Sequence, residues 1–340
     1  MKNNLYIITN ENISQRNDIY KSDNIDMKSI PESLQKLNFE VNLLGRKSRL
    51  ERSKSINLKK IKIFSNIFSY ILALVKTYKN INNNYLIISI SPYTFLAIIF
   101  LKLFKKKYFI YLRSDGYEEY KSILGFYGPI IYHIMFTIAV KSSFLIACRK
   151  HLLRKRNGNV VSPSQLNKKW FANQNKKIIE SKKLLYVGRM RVEKGIFSLI
   201  DILKKSNLNL TIVTPEKKNK IFTISKNISI INFENKNDEI IKFYDEHKIF
   251  ILPSFTEAHP QVLDEALARN KPVIIFQEIS HVIRSRKGIF STKRNIESLQ
   301  KTVDYIIQNY QDIQKKIKMN KLPTKEKFIE ELKSIILKNK

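Results

Sequence analysis

The 340-residue chain has one cysteine, Cys148, which excludes an internal disulfide and leaves burial to hold the fold together. Cys148 reads as the end of a buried strand rather than as a nucleophile. Acid is scarce over a long window: from Arg52 to Lys177 the carboxylates are Asp115, Glu118 and Glu119. The sequence has no Asp-x-Asp, and its five histidines lie scattered without ligand spacing, which argues against a bound metal. It also has no stretch that qualifies as a membrane span. The longest candidate, 128–148, contains His133 and Lys141 and breaks at Lys141, which predicts a helix over 129–140 followed by a strand over 143–148. The apolar run in MKNNLYIITNEN is too short for a secretion signal, so it reads as a first strand and predicts a cytoplasmic location. Internal repeats, long low-complexity segments and nucleic-acid-binding motifs are absent.

What is present is an alternation of apolar strands and helices. The composition is 43% apolar. Strands are expected at 5–9, 41–44, 85–89, 108–112 and 143–148, and again at 184–187, 210–213, 229–231, 249–252 and 272–276. Two successive sets of this kind predict two doubly wound α/β domains with ligands at the carboxyl ends of the strands. The domains are expected over 1–170 and 182–324, joined through the polar stretch 156–182. A final helix over 325–340 carries an apolar stripe of Phe328, Ile329, Leu332, Ile335 and Ile336.

The charge is one-sided, with a formal net value of +33. Basic residues in the acid-poor window alternate with apolar helices expected at 61–75 and 93–104, the latter running into Lys105, Lys106 and Lys107. Such a surface suits the anionic face of a membrane, which would make the protein peripheral on the inner leaflet. A lysine- and asparagine-rich composition along the whole chain produces the same excess with no partner at all. Nucleic acid ranks third, since no motif supports it.

Two segments carry chemistry. In KLLYVGRMRVEKGIFSLIDILKK, a short strand ends at Gly188, and Arg189 and Lys194 follow with four residues between them before a helix starts. A planar cationic fork and a point charge beside a helix start suit a diphosphate, whose charge must be neutralised as a leaving group departs. An ordinary basic loop is the plainer alternative in a chain with 62 Lys and Arg. In FILPSFTEAHPQVLDEALARNKPVII, Glu257 lies in the loop after a strand, and Glu265 lies about a turn and a half into the next helix. Pro260 opens that helix and Asn270 closes it. Gln261, Val262 and Leu263 then offer amides at the helix start, a place suited to an anion. After the strand 108–112, Arg113, Ser114, Asp115 and Gly116 form a polar cluster, either facing a ligand or forming a turn with Asp115 paired to Arg113.

The order and spacing of these two segments resemble the nucleotide-sugar half of retaining glycosyltransferases of family 4. That resemblance is specific from about Leu184 to Phe290, and it implies the GT-B fold, two Rossmann-like domains facing across a cleft, with the helix over 325–340 packing back onto the first. It implies that Arg189 and Lys194, beside Gly188, bind the donor diphosphate, that Glu257 contacts the donor sugar and that Glu265 holds the ribose hydroxyls. Amides around Gln261, Val262 and Leu263 complete those contacts, while Arg113 and Asp115 serve catalysis from the acceptor side. Where members often carry Gly-Phe-Gly or Gly-Phe-Pro after the first glutamate, this chain has Ala258, His259 and Pro260. The implied partners are a nucleoside-diphosphate sugar and a lipid-linked or surface-polysaccharide acceptor, with no metal or other cofactor. A nucleotide-sugar hydrolase or epimerase, or a polyanion-binding module without catalysis, are the alternatives.

Overall fold

A computed structural model describes residues 3–77, 83–172, 183–204, 206–215, 225–233, 239–257 and 259–339. The chain divides into two compact units, Met1–Pro163 with Lys325–Lys340, and Ser164–Thr324.

The first unit is built on strands β1 (Asn3–Arg16), β2 (Ile19–Ser22), β3 (Phe39–Lys47), β4 (Lys54–Ile56), β5 (Lys60–Phe64), β6 (Asn84–Ile88), β7 (Tyr108–Leu112), β8 (Phe144–Ala147) and β9 (Asn159–Val160). Its helices are α1 (Asp26–Lys36), α2 (Ile67–Thr77), α3 (Pro92–Leu103), α4 (Gly116–Leu124) and α5 (Tyr127–Val140). The parallel ladder runs β5-β3-β1-β6-β7-β8-β9, and β2 and β4 extend it as an antiparallel flap on β1. Strands β6 and β7 read as continuous apolar runs because helices cover both faces of a parallel sheet.

Two expectations change here. The segment 61–75 is not one helix: Lys60–Phe64 alternates exposed and part-buried residues, a period of two, and pairs with β3, so the helix begins only at Ile67. Strand β1 does not stop at Thr9. It continues to Arg16 across a register break between Ile8 and Asn12, and Glu11 sits within that break.

The second unit opens with α6 (Lys168–Phe171) and follows with β10 (Leu184–Val187), α7 (Ile196–Leu203), β11 (Leu210–Thr214), β12 (Ile228–Asn232) and α8 (Ile241–Asp245). Then come β13 (Ile249–Leu252), α9 (Gln261–Ala268), β14 (Val273–Phe276), β15 (Ile289–Thr292), α10 (Ile296–Gln308) and α11 (Tyr310–Ile317). Its sheet is wholly parallel, in the order β12-β11-β10-β13-β14-β15. The order reverses direction between β10 and β13, the switch point above which such sheets bind ligands. Fully buried Arg269, at the end of α9, donates to Asp245 at 2.8 Å and to the carbonyls of Trp170 and Ala172 at 3.0 and 2.6 Å. A charge this deep is tolerated because its hydrogen bonds are filled. The last helix, α12 (Lys325–Lys338), buries Phe328, Ile329, Leu332 and Ile336 in the core of the first unit. Among the described residues, no helix is long and apolar enough to cross a membrane.

Candidate donor site in the second unit

Backbone geometry brings the ends of β10 and β13 together. Gly188 donates its amide to Val213 O at 3.0 Å, and a Cβ there would lie 2.6 Å from the Tyr186 hydroxyl, which itself donates to Arg189 O at 2.8 Å. The following turn ends at Gly195, with φ of 63°, and a Cβ at that position would fall 1.9 Å from the Pro253 carbonyl oxygen. Only glycine accepts both the left-handed conformation and the approach of the next strand's exit. Phe255 N donates to Glu193 O at 3.1 Å, which ties the two loops. Arg294 clamps the same exit: it donates to Pro253 O at 2.9 Å, pairs with Glu278 at 2.6 Å, and lies 4.2 Å from the ring centroids of both Phe255 and Phe276.

This packing places two of the expected site residues in contact. Lys194 Nζ donates to Glu257 Oε1 at 2.6 Å, and the buried Ser254 hydroxyl donates to the same oxygen at 2.7 Å. His281 Nε2 donates to the Glu257 carbonyl at 2.8 Å, which fixes the backbone beneath the carboxylate. The Glu257 side chain is only 9% exposed, against 26% for Lys194. Arg189 is exposed on the loop between Gly188 and Lys194. Ala258 lies outside the described residues.

Helix α9 begins one residue later than the proline rule placed it: Pro260 is the N-cap, and Gln261 starts the helix. Leu263 N reaches Pro260 O at 3.2 Å, so the amides ahead of it form the open end of the helix. Buried Asp264 in the first turn pairs with Arg286 and lies 3.7 Å from His259 Nε2. At the far end, Asn270 has φ of 58°, as its capping role requires. Glu265 is half-buried and accepts a hydrogen bond from the Tyr244 hydroxyl at 2.8 Å. Tyr244 is fully buried between Trp170, edge-on at 5.4 Å, and Phe250, stacked at 5.6 Å. Burial, with the Glu265 carboxylate beside it, pushes the Tyr244 hydroxyl well above its ordinary range and keeps it a neutral donor.

In the first unit, the residues after β7 separate. Arg113 does not pair with Asp115: its guanidinium bonds Glu11 at 3.1 Å and Asp26 at 3.4 Å, and its carbonyl accepts from the Cys148 thiol at 3.0 Å. Asp115 instead caps α4 through Tyr117 N at 3.0 Å and accepts from Arg154 at 2.6 Å, while that guanidinium lies 4.7 Å from the Tyr117 ring centroid. Ser91 caps α3 in a reciprocal pair with Thr94. Glu11, Asp26, His281 and Arg294 escape the sequence reading, because each meets its partner across a gap in sequence that no local pattern marks; Ser254 lies only three residues from Glu257, but a serine in a loop carries no sign of the carboxylate it bonds. Among the described residues, no group of three or more His, Cys, Asp or Glu side chains could hold a metal ion.

Residues 168–322 match the family model described as glycosyl transferases group 1. An uncharacterized glycosyltransferase of Haemophilus influenzae is 27% identical over 198 residues, 53% of this chain and 56% of that protein. The chain thus spans about half the length of that curated relative. Across its whole length the chain resembles the crystal structure of Anabaena Alr3699/HepE in complex with UDP, at a TM-score of 0.68 and 12% identity, with 100% of both chains covered. WaaG, a glycosyltransferase involved in lipopolysaccharide biosynthesis, superposes at 0.66 and 13% identity over 98% of this chain and 99% of its own. The chain has the GT-B fold, and residues 168–322 of its second unit are similar to glycosyl transferases group 1.

Proposed function

We propose that the chain is a retaining, metal-independent glycosyltransferase that moves a hexosyl group from a nucleoside-diphosphate sugar to a hydroxyl of a lipid-linked or surface-polysaccharide acceptor. The observation that carries this reading is the Lys194–Glu257 pair, held at 2.6 Å before the open end of α9. An ammonium has three donors, so Lys194 can keep Glu257 and still meet a phosphate oxygen. Among the described residues, the donors to the Glu257 carboxylate, Lys194 and Ser254, both meet Oε1, so Oε2 can accept from a sugar hydroxyl. Arg189 adds a second cation to the diphosphate, beside Gly188, and the open amides of Gln261 and Val262, ahead of the bonded Leu263 amide, add the partial positive charge of the helix end. Glu265, oriented by Tyr244, accepts from the ribose hydroxyls.

In the transfer, the bond from the anomeric carbon to the diphosphate oxygen breaks and a bond to the acceptor oxygen forms. The hydroxyl proton passes to the departing diphosphate, whose growing charge Arg189 and Lys194 stabilise. Arg113 and Asp115 belong to the acceptor side of this scheme. That similar folds are found with UDP and UDP-glucose supports the donor class. The test is a thermal-shift screen against UDP, GDP, ADP and CMP with their common sugars, repeated on Glu265→Ala. Stabilisation by one nucleoside diphosphate, lost in the variant, is the expected result. A flat response to all of them would overturn the donor-site assignment. Steady consumption of the donor sugar with no acceptor present would move the reading to a hydrolase or epimerase.

A further inference from the structure

Helices α2 and α5 are apolar on two sides. The inner side of α2 buries Tyr70, Ala73 and Leu74, while Phe68, Ile71, Leu72 and Val75 face outward and exposed. In α5, Tyr132, Met135, Phe136 and Ala139 are buried, and Tyr127, Ile130, Ile134 and Ile138 stand in solvent. A helix with water on its outer side needs only one apolar stripe, and a second stripe marks a second covered face. Helix α3 packs against both α2 and α5, and α5 packs against α4, so the outer stripes are neighbours on one side of the first sheet. Exposed Leu103 and Phe104 at the end of α3 continue the surface, as does Phe126, 82% exposed in the turn before α5.

The charges around this surface have one sign along one edge. No Asp or Glu occurs in α2, α3 or α5. Each of these helices leads into the start of a parallel strand, so their carboxyl ends share the amino-terminal rim of the sheet. Lys76, Lys102, Lys105, Lys107 and Lys141 all lie at those ends. The exposed acids Glu118 and Glu119 sit in the first turn of α4, at the opposite rim. A second copy of this chain is a poor occupant, because association would bring two formal charges of +33 together. An apolar face edged by lysines suits lying on an anionic membrane.

We propose that the outer face of α2, α3 and α5 is a docking surface for an anionic lipid membrane, with the aromatic and aliphatic side chains entering the acyl boundary and the lysine rim meeting the headgroups. This names a partner for the proposed reaction, but its evidence and its test do not depend on sugar transfer. Sedimentation of the purified chain with phosphatidylcholine vesicles, with and without phosphatidylglycerol, reads the binding directly. Anionic vesicles are expected to bind it, and molar salt to weaken that binding, since screening then acts within about 3 Å. The exposed pair Phe126→Ser with Ile134→Ser should lose most of the binding while circular dichroism and melting stay unchanged. Lys105→Gln and Lys107→Gln should each weaken binding about fivefold. Three results would overturn the proposal: no sedimentation with anionic vesicles, binding that both sets of variants leave intact, or a dimer by light scattering that the apolar pair abolishes.

Discussion

Glu257 is a carboxylate held by a lysine and a serine in a place from which water is largely excluded. Its two partners predict different consequences for two substitutions. Glu257→Gln keeps the shape and removes the charge, so sugar transfer should fall by about 10²-fold or more with little change in unfolding midpoint. Lys194→Ala leaves a nearly buried carboxylate without its cation, so urea denaturation should show a loss of about 1–3 kcal/mol in addition to weaker donor binding, less than for a fully buried pair because Lys194 is partly solvated. A normal turnover in both variants would remove the pair from the mechanism. His247 supplies a pH dependence. Its Nδ1 lies 2.6 Å from Phe243 O, to which it donates, and in the neutral ring Nε2 accepts from the Thr211 hydroxyl at 2.8 Å. Burial lowers its pKa from the ordinary 6.5, with smaller contributions from Lys183 and Lys271. The unfolded chain therefore takes up the proton first: the contribution of the neutral ring is whole above pH 6.5 and is lost as pH falls through the lowered value. Urea midpoints measured downward from that pH should decline in the parent chain and decline less in His247→Asn.

Among the elements, the turn between β10 and α7 decides the placement of Lys194. Gly195 and Gly125 both have positive φ, 63° and 60°, but only Gly195 lies against another strand's backbone. Gly125, at ψ of −138°, occupies a region that side-chain-bearing residues rarely adopt, so Gly125→Ala should cost the conformational strain alone, about 1–2 kcal/mol, and leave nucleotide binding unchanged. Gly195→Ala should cost more, about 2–3 kcal/mol, and should also weaken nucleotide binding, because the Pro253 carbonyl must move and carries the Ser254–Glu257 loop with it. Equal losses in the two variants, measured by chemical denaturation, would show that the contact is dispensable. Helix α9 was readable because Pro260, the apolar spacing and Asn270 are adjacent signals. Strand β5 is not legible in the sequence, because a five-residue alternation ahead of an apolar helix has the pattern of that helix's first turn.

At the level of the whole molecule, two separate cores stand on two sheets, one mostly and one wholly parallel, and α12 belongs to the first although it follows the second in sequence. Phe328, Leu332 and Ile336 are fully buried there, and at roughly 2 kcal/mol each their loss removes about 6 kcal/mol from the first unit. Deletion of 325–340 should lower the melting of the first unit sharply, while stabilisation of the second by its nucleotide persists. A uniform loss across both units in calorimetry would contradict separate cores. By itself the sequence determined the alternation of strands and helices, the charge excess, and the spacing of Arg189, Lys194, Glu257 and Glu265, because periodicity and turn chemistry are local. Only the tertiary structure decided that Lys194 meets Glu257, that Asp115 takes Arg154 rather than Arg113, that Arg113 takes Glu11 and Asp26, and that two apolar stripes of α2 and α5 remain uncovered. Those outcomes depend on sheet order and on contacts between residues tens of positions apart, and no local pattern of side chains encodes which distant partner the packing will deliver.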